Sequence, residues 1–192
     1  KALREMRCRD IYLTCVYVTG ARSDRRFEVG SANYIKEVLA PIINSLKFER
    51  VRVLDPHSEV LGACLDNYES TDNAEFVKLV LTELYGVEFQ QGASFVLLSP
   101  DEGASKKIFK LVKKLGITCD IVTCSKERDE EGNLSKVIVP DIIRYADRDF
   151  IIVDDICDGG ATFLNIAKKL KEQQDAAKIA SKLYLVVTHG IF

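Results

Sequence analysis

Charge of one sign is missing from this chain. Its 27 Lys and Arg face 29 Asp and Glu, a net of -2 over 192 residues. That balance excludes a chain-wide nucleic-acid footprint and an acidic tail. Long apolar runs are missing as well: stretches such as FVLLSP and FIIV are far too short to cross a bilayer. The opening residues, KALREMRCRDIYL, do not read as a signal peptide. The six cysteines, at 8, 15, 64, 119, 124 and 157, form no C-x-x-C pair. Cys15, Cys119 and Cys124 lie in or beside strand-like runs, so the set reads as reduced packing residues of a cytoplasmic protein. There is no internal repeat and no low-complexity tract. The chain opens on Lys and stops at VTHGIF just after a strand-like run, the pattern of a piece of a longer protein.

What is present is apolar patterning that alternates between two periods. Apolar residues make up 47% of the chain, enough for one large domain or two small ones. Strand-like runs are DIYLTCVYV, RVRVLD, SFVLLS, ITCDIVTC, KVIV, DFIIVD and KLYLVVTHG. Helix-period segments run over Ser31–Leu46, Asn73–Tyr85, Ser105–Leu115 and Thr162–Gln173. The alternation predicts an α/β fold with a largely parallel sheet. The polar stretch Cys124–Lys136, CSKERDEEGNLSK, reads as an exposed, mobile loop. A junction between two subdomains is expected near NYESTDN, Asn67–Asn73.

The segment FIIVDDICDGGATF, Phe150–Phe163, carries the chemistry. In parallel α/β sheets ligands bind at the carboxyl ends of strands. There FIIV delivers Asp154 and Asp155, then a turn at Asp158, Gly159 and Gly160, then a helix from Thr162. Exposed N–H groups and a helix N-terminus attract an anion, phosphate above all. The carboxylates then face another part of the ligand, either vicinal sugar hydroxyls or a bridging Mg²⁺. Capping of the helix by Asp158 accounts for one acid, not three.

VDDICDGGAT resembles the phosphoribosyl-pyrophosphate (PRPP) loop of type I phosphoribosyltransferases and of ribose-phosphate pyrophosphokinases, the PRPP synthetases. Further segments resemble the synthetases in particular. YVTGARSDRRF, Tyr17–Phe27, is similar to their Arg-rich ATP segment, and VLDPHSEVLG to their strand ending in Asp-x-His-Ser. LLSPDEGASKK matches their Ser-Pro-Asp-x-Gly turn. Lys126 and Arg128 stand where they carry a Lys-x-Arg pair on a flexible catalytic loop. VVTHG, with His189, matches their Thr-His-Gly strand end.

The resemblance implies a phosphoribosyltransferase-like (Rossmann-like) fold of two similar subdomains. The first, 1–70, would be an incomplete ATP-side unit. The second, 71–192, would carry the PRPP loop. It implies ribose-phosphate diphosphokinase activity, the transfer of pyrophosphate from Mg-ATP to ribose 5-phosphate, giving PRPP and AMP. Arg22, Asp24, Arg25 and His57 would hold ATP, and His57 and Asp101 would serve the Mg²⁺ cofactor. Asp55 would hold the His57 tautomer or share a metal. Asp154, Asp155, Asp158, Gly159, Gly160, Ala161 and Thr162 would hold the ribose phosphate. Lys126, Arg128 and His57 would be catalytic. The partners would be these small molecules and further copies of the chain in a homo-oligomer, with no nucleic acid and no membrane.

The sequence departs from the family's Asp-Thr-Gly-Gly-Thr loop by placing Gly159 at the first Thr and Ala161 at a Gly. One phosphate hydrogen bond is lost and room is gained. That opens a second expectation, a ribose with a larger 5′ substituent such as ADP-ribose. The same residues are compatible with a catalytically weak regulatory relative of the synthetases, and with a salvage phosphoribosyltransferase.

Overall fold

The computed structural model describes residues 2–26, 28–90, 94–128 and 134–192, with the backbone alone at 128 and 134–136. The chain divides into two compact units, Lys1–Asn73 and Ala74–Phe192.

The N-terminal unit runs α1 (Ala2–Glu5), β1 (Tyr12–Cys15), a π-type turn (Ile35–Leu39), α2 (Ala40–Ser45), β2 (Arg50–Leu54), α3 (Val60–Cys64) and β3 (Tyr68–Thr71). The strands pair in parallel in the order β1-β2-β3. Strand β2 follows its alternating sequence, with Val51 and Val53 buried and Arg50 and Arg52 exposed. The valines pack with Ile35, Ala40, Leu61 and Leu65.

One expectation changes here. The helix expected from Ser31 begins only at Ile35, because the preceding residues are engaged locally. The Ser31 hydroxyl bonds the Glu28 backbone, and Asn33 Oδ1 accepts the Lys36 N–H at 2.9 Å. Such side-chain bonds compete with helix extension. The stretch Asn67–Asn73, where a junction is expected, holds strand β3 and ends at the boundary between the two units.

The C-terminal unit runs α4 (Ala74–Tyr85), β4 (Phe95–Ser99), α5 (Glu102–Leu115), β5 (Asp120–Thr123), β6 (Ser125–Arg128), β7 (Leu134–Ile138), a 3-10 turn (Ile143–Tyr145), β8 (Asp149–Cys157), α6 (Ala161–Ala177) and β9 (Leu183–Gly190). Four strands form a parallel sheet in the order β5-β4-β8-β9. Every residue of β4 is buried, and nearly all of β8. Helices on both faces explain those unbroken apolar runs. On one face Val77 and Leu81 of α4 and Ile108 and Leu111 of α5 pack on Leu97, Ile151 and Val153. On the other, Phe163, Ile166 and Leu170 of α6 pack on Val96, Leu98, Phe150 and Ile152.

Two further expectations are corrected in this unit. The stretch Cys124–Lys136 is not patternless: its described parts are β6 and β7, an antiparallel pair with Lys126 opposite Val137. Its charges mask β6, which pairs with the strand expected at KVIV, where Val137 is buried. Strand β8 does not end with the run DFIIVD, at Asp154. Pairing with β9 carries it through Cys157, so Asp154 and Asp155 are strand residues.

Strand order places the ligand crevice. From β4 the chain leaves through α5 to β5 on one side. From β8, which neighbours β4 on the other side, it leaves through α6 to β9. The carboxyl ends of β4 and β8 therefore flank a topological switch point, where α/β sheets bind ligands.

Candidate functional site

On the β4 side, Asp101 follows Ser99 and Pro100. It is the N-cap of α5, in extended backbone, and its Oδ1 accepts the Ala104 N–H at 2.9 Å. The buried Ser99 donates its hydroxyl to the Asp101 carbonyl at 2.6 Å and fixes the turn. The other carboxylate oxygen, Oδ2, meets Lys126 Nζ of β6 at 2.8 Å. Burial opposes ionisation of Asp101, but the bonds from Lys126 and from the Ala104 and Gly103 amides outweigh it. They hold this carboxyl below the usual range.

On the β8 side, consecutive residues of a strand point to opposite faces. Asp155 is buried on the α5 face, where Lys107 Nζ meets its Oδ2 at 2.6 Å. Asp154 is half-buried, and its Oδ1 accepts the Asp155 N–H at 2.9 Å. Burial, and then the charge of Asp155, push the Asp154 carboxyl up to about 7. Asp101 adds to that rise and Lys126 offsets it, so the four groups share one electrostatic neighbourhood.

The turn beyond the strand leads into α6. Asp158 and Gly159 are exposed, and Gly160, at φ 74°, is the N-cap of α6. That left-handed conformation favours glycine, which has no Cβ to clash. Ala161 is the first helical residue and Thr162 the second, and the first intrahelical bond runs from the Leu164 N–H to the Gly160 carbonyl. The preceding N–H groups have no intrahelical acceptor and remain for a ligand or solvent. A Cβ on Gly159 would meet nothing within 4 Å.

The N-terminal unit carries its own set. Strands β1 and β2 are parallel, so the loop after Cys15 and the turn after Leu54 leave the same edge. The first loop turns at Gly20, where φ is 72° and a Cβ would stand 2.8 Å from the Tyr34 ring. It presents Arg22 and Arg25 to solvent, while the Asp24 carbonyl accepts Asn33 Nδ2 at 2.6 Å. Arg26 is committed to Glu37 through a 2.7 Å bond. The second turn holds Asp55, buried at φ 40°, with its N–H on the Thr71 carbonyl. His57 is half-buried two residues later.

The structure thus gathers Asp101, Lys126, Asp154 and Asp155 beside the turn Asp158–Thr162, and places Arg22, Asp24, Arg25 and His57 at one edge of the N-terminal sheet. The side chain of Arg128 lies outside the described residues. Sequence motifs do not single out Lys107. Its one signal is a cation at the flank of the buried stripe of α5, one residue before Ile108 and four before Leu111. All six cysteines are unpaired, and burial pushes the Cys119 and Cys124 thiols up to about 11, as packing residues require.

Magnesium is a hard cation that takes oxygen ligands, commonly one or two carboxylates completed by substrate phosphates and water. Among the described residues no three His, Cys, Asp or Glu side chains could enclose a metal. The Asp101 and Asp154 carboxylates fit that sparse oxygen set, whereas the imidazole of His57 is the softer donor. No helix among the described residues is long and apolar enough to cross a membrane.

Comparison with known proteins gives the family of the chain. The phosphoribosyl transferase domain model matches residues 70–188. The chain is 31% identical over 191 residues to the ribose-phosphate pyrophosphokinase of Bradyrhizobium diazoefficiens, covering 99% of this chain and 56% of that one. It is 29% identical over 193 residues to the enzyme of the same name from Hyphomonas neptunium, covering 99% and 57%. The chain therefore spans about half the length of the curated relatives it matches. The crystal structure of phosphoribosylpyrophosphate synthetase from Mycobacterium smegmatis shares the fold, with a TM-score of 0.75 at 19% identity over 98% of this chain and 57% of that one. With a family model matched over more than half its length, and a doubly wound sheet carrying the acid–glycine loop at its switch point, the chain belongs to the phosphoribosyl transferase domain family.

Proposed function

We propose that this chain carries a ribose-phosphate diphosphokinase site, transferring the β,γ-pyrophosphoryl group of ATP to the anomeric hydroxyl of ribose 5-phosphate. The observation that carries it is the Lys126–Asp101 ion pair, in one electrostatic neighbourhood with Asp154 on the strand that leads into the Gly160-capped N-terminus of α6. A site with carboxylates alone would repel a polyphosphate. A site with cations alone would not select a sugar. This one offers carboxylates for ribose hydroxyls, a helix N-terminus for the 5-phosphate, and Lys126 for the charge being transferred.

The ribose 5-phosphate would sit with its phosphate on the turn Asp158, Gly159, Gly160, Ala161 and Thr162, and its hydroxyls toward Asp154 at the carboxyl end of β8. The anomeric oxygen attacks Pβ in line. The Pα–O–Pβ bond breaks, AMP leaves, and the hydroxyl proton passes to solvent. Catalysis of this kind is chiefly positioning and charge neutralisation. Lys126, with Arg128, would stabilise the negative charge of the transition state once released from Asp101. Arg22, Asp24, Arg25 and His57 would hold ATP, the guanidinium forks matching phosphate oxygens. Bound Mg²⁺ would neutralise the polyphosphate, and Asp101 is a carboxylate that would help hold it.

The activity is tested by AMP release from ATP on addition of ribose 5-phosphate. Sugar-dependent AMP release supports the reading. Its absence in folded protein that binds both substrates removes the catalytic reading and leaves a regulatory relative. A second reading, a ribose with a larger 5′ substituent such as ADP-ribose, is favoured by the open space at Gly159. Running both sugars in the same assay separates the two, and no turnover with ADP-ribose ends the second.

A further inference from the structure

We infer that Lys107 is a positioning residue that divides the acid pair: it anchors Asp155 against α5, so that Asp154 is the carboxylate presented to the sugar. The inference rests on the ribose reading above and deepens it.

Three observations carry it. First, alternation along β8 places Asp155 on the face of Ile151 and Val153, which pack beneath α4 and α5. Asp155 thus faces the packed interior, and only 5% of its surface is exposed. Second, Lys107 flanks the inward stripe of α5 formed by Ile108, Leu111 and Leu115, one residue before Ile108. Its ammonium lies 2.6 Å from Asp155 Oδ2 while the side chain keeps 40% of its surface exposed. A lysine that lays its stem along apolar surface and sends its head to a buried carboxylate has a partner, not an accident of packing. Third, Asp154 leans on what Lys107 fixes. Its Oδ1 accepts the N–H of Asp155, so the backbone held by the Lys107–Asp155 pair also sets the angle at which Asp154 leaves the strand.

The consequence is a division of labour between adjacent, chemically identical side chains. Removing the cation alone strands a buried carboxylate, which must then find water or a proton by moving. Movement of Asp155 carries its N–H, and with it Asp154. Removing cation and carboxylate together leaves no charge to rehouse.

The test uses the whole chain and ribose 5-phosphate binding by titration calorimetry, which does not depend on ATP or turnover. Circular dichroism confirms that each variant is folded at the working temperature. Lys107→Met is expected to weaken sugar binding by about tenfold or more. Lys107→Arg, which keeps the charge, is expected to stay within about threefold of the parent protein. The double variant Lys107→Met with Asp155→Asn is expected to regain most of the lost affinity. A merely structural lysine would not show that ordering. Sugar binding that stays lost in the double variant, or is unaffected in Lys107→Met, overturns the role of Lys107. If Lys107→Met alone fails to fold, the comparison of the double variant with Asp155→Asn decides in the same way: binding lost in both means that Asp155 itself holds the sugar, and binding kept in both supports the division. A parent protein that binds no ribose 5-phosphate overturns the ribose reading itself, an outcome distinct from all of these.

Discussion

Lys126 Nζ lies 2.8 Å from Asp101 Oδ2, and Asp101 Oδ1 takes the Ala104 N–H at 2.9 Å. One carboxylate therefore caps α5 and holds a cation delivered by β6. The two duties separate by substitution. Asp101→Asn keeps a capping oxygen and loses the charge, so a loss of about 1 kcal/mol or less is expected, since the pair is partly exposed. Asp101→Ala loses both, and a further ~1 kcal/mol is expected. Urea unfolding measures both, and equal losses would mean that the cap contributes nothing.

The same ion pair parks a cation beside the proposed transfer site. Lys126→Ala is expected to cut turnover about a hundredfold or more, below the full effect of an arginine finger. Binding of ribose 5-phosphate should be nearly unchanged, because Lys126 acts on the transferring group. Steady-state AMP release and sugar calorimetry give the two readings. Near-normal turnover in that variant would end the assignment.

Asp154, pushed up to about 7 by burial and by Asp155, gives a pH prediction with a definite sign. An ordinary aspartate in the unfolded chain has a pKa of about 3.9, so between these values the folded state binds more protons than the unfolded. The contribution of Asp154 to stability therefore falls as pH rises through that window. Asp154→Asn removes the penalty. In the absence of divalent cations the variant should be more stable than the parent near pH 8, by at most about 4 kcal/mol. The advantage should fade toward pH 4. Thermal unfolding across that range checks it, and a difference independent of pH would refute the assignment.

The glycine turn yields a pair of opposite outcomes. Gly160, at φ 74°, should not tolerate a side chain, and Gly160→Ala is expected to cost about 1–2 kcal/mol. Gly159 has open space where a Cβ would stand and no positive φ. Gly159→Thr should therefore change stability by less than about 0.5 kcal/mol. It should strengthen ribose 5-phosphate binding by about one hydrogen bond, roughly 0.5–1.5 kcal/mol. Thermal unfolding and calorimetry read the two effects. Unchanged affinity in Gly159→Thr would show that the phosphate sits elsewhere.

Much of the fold is legible in the sequence because its signals are local. The runs FVLLS and FIIV are apolar without interruption, as only strands covered on both faces are. Gly159 and Gly160 mark a turn, whereas the start of α5 is less legible: expected at Ser105, it comes at Glu102 because Asp101 caps it. The misreadings have the same physical origin. CSKERDEEGNLSK reads as a loop because its charges hide β6, which pairs with the strand legible as KVIV. Strand β8 reads as ending at Asp154, with the run DFIIVD, because carboxylates rarely lie in buried strands. It runs on because β9 continues to pair with it, and because Lys107 meets the charge of Asp155. Nothing near Lys107 in the sequence names that partner.

The strand–turn–helix units and the chemistry at each strand end are written in local sequence, because hydrophobic period, capping and turn geometry act over a few residues. Which strand ends come together depends on the assembled fold. Setting β4 beside β8 puts Asp101 in the electrostatic neighbourhood of Asp154, and the β6–β7 pair carries Lys126 to Asp101. Strand order is chosen by the burial of whole faces against helices, a property of the assembled sheet that no single segment contains.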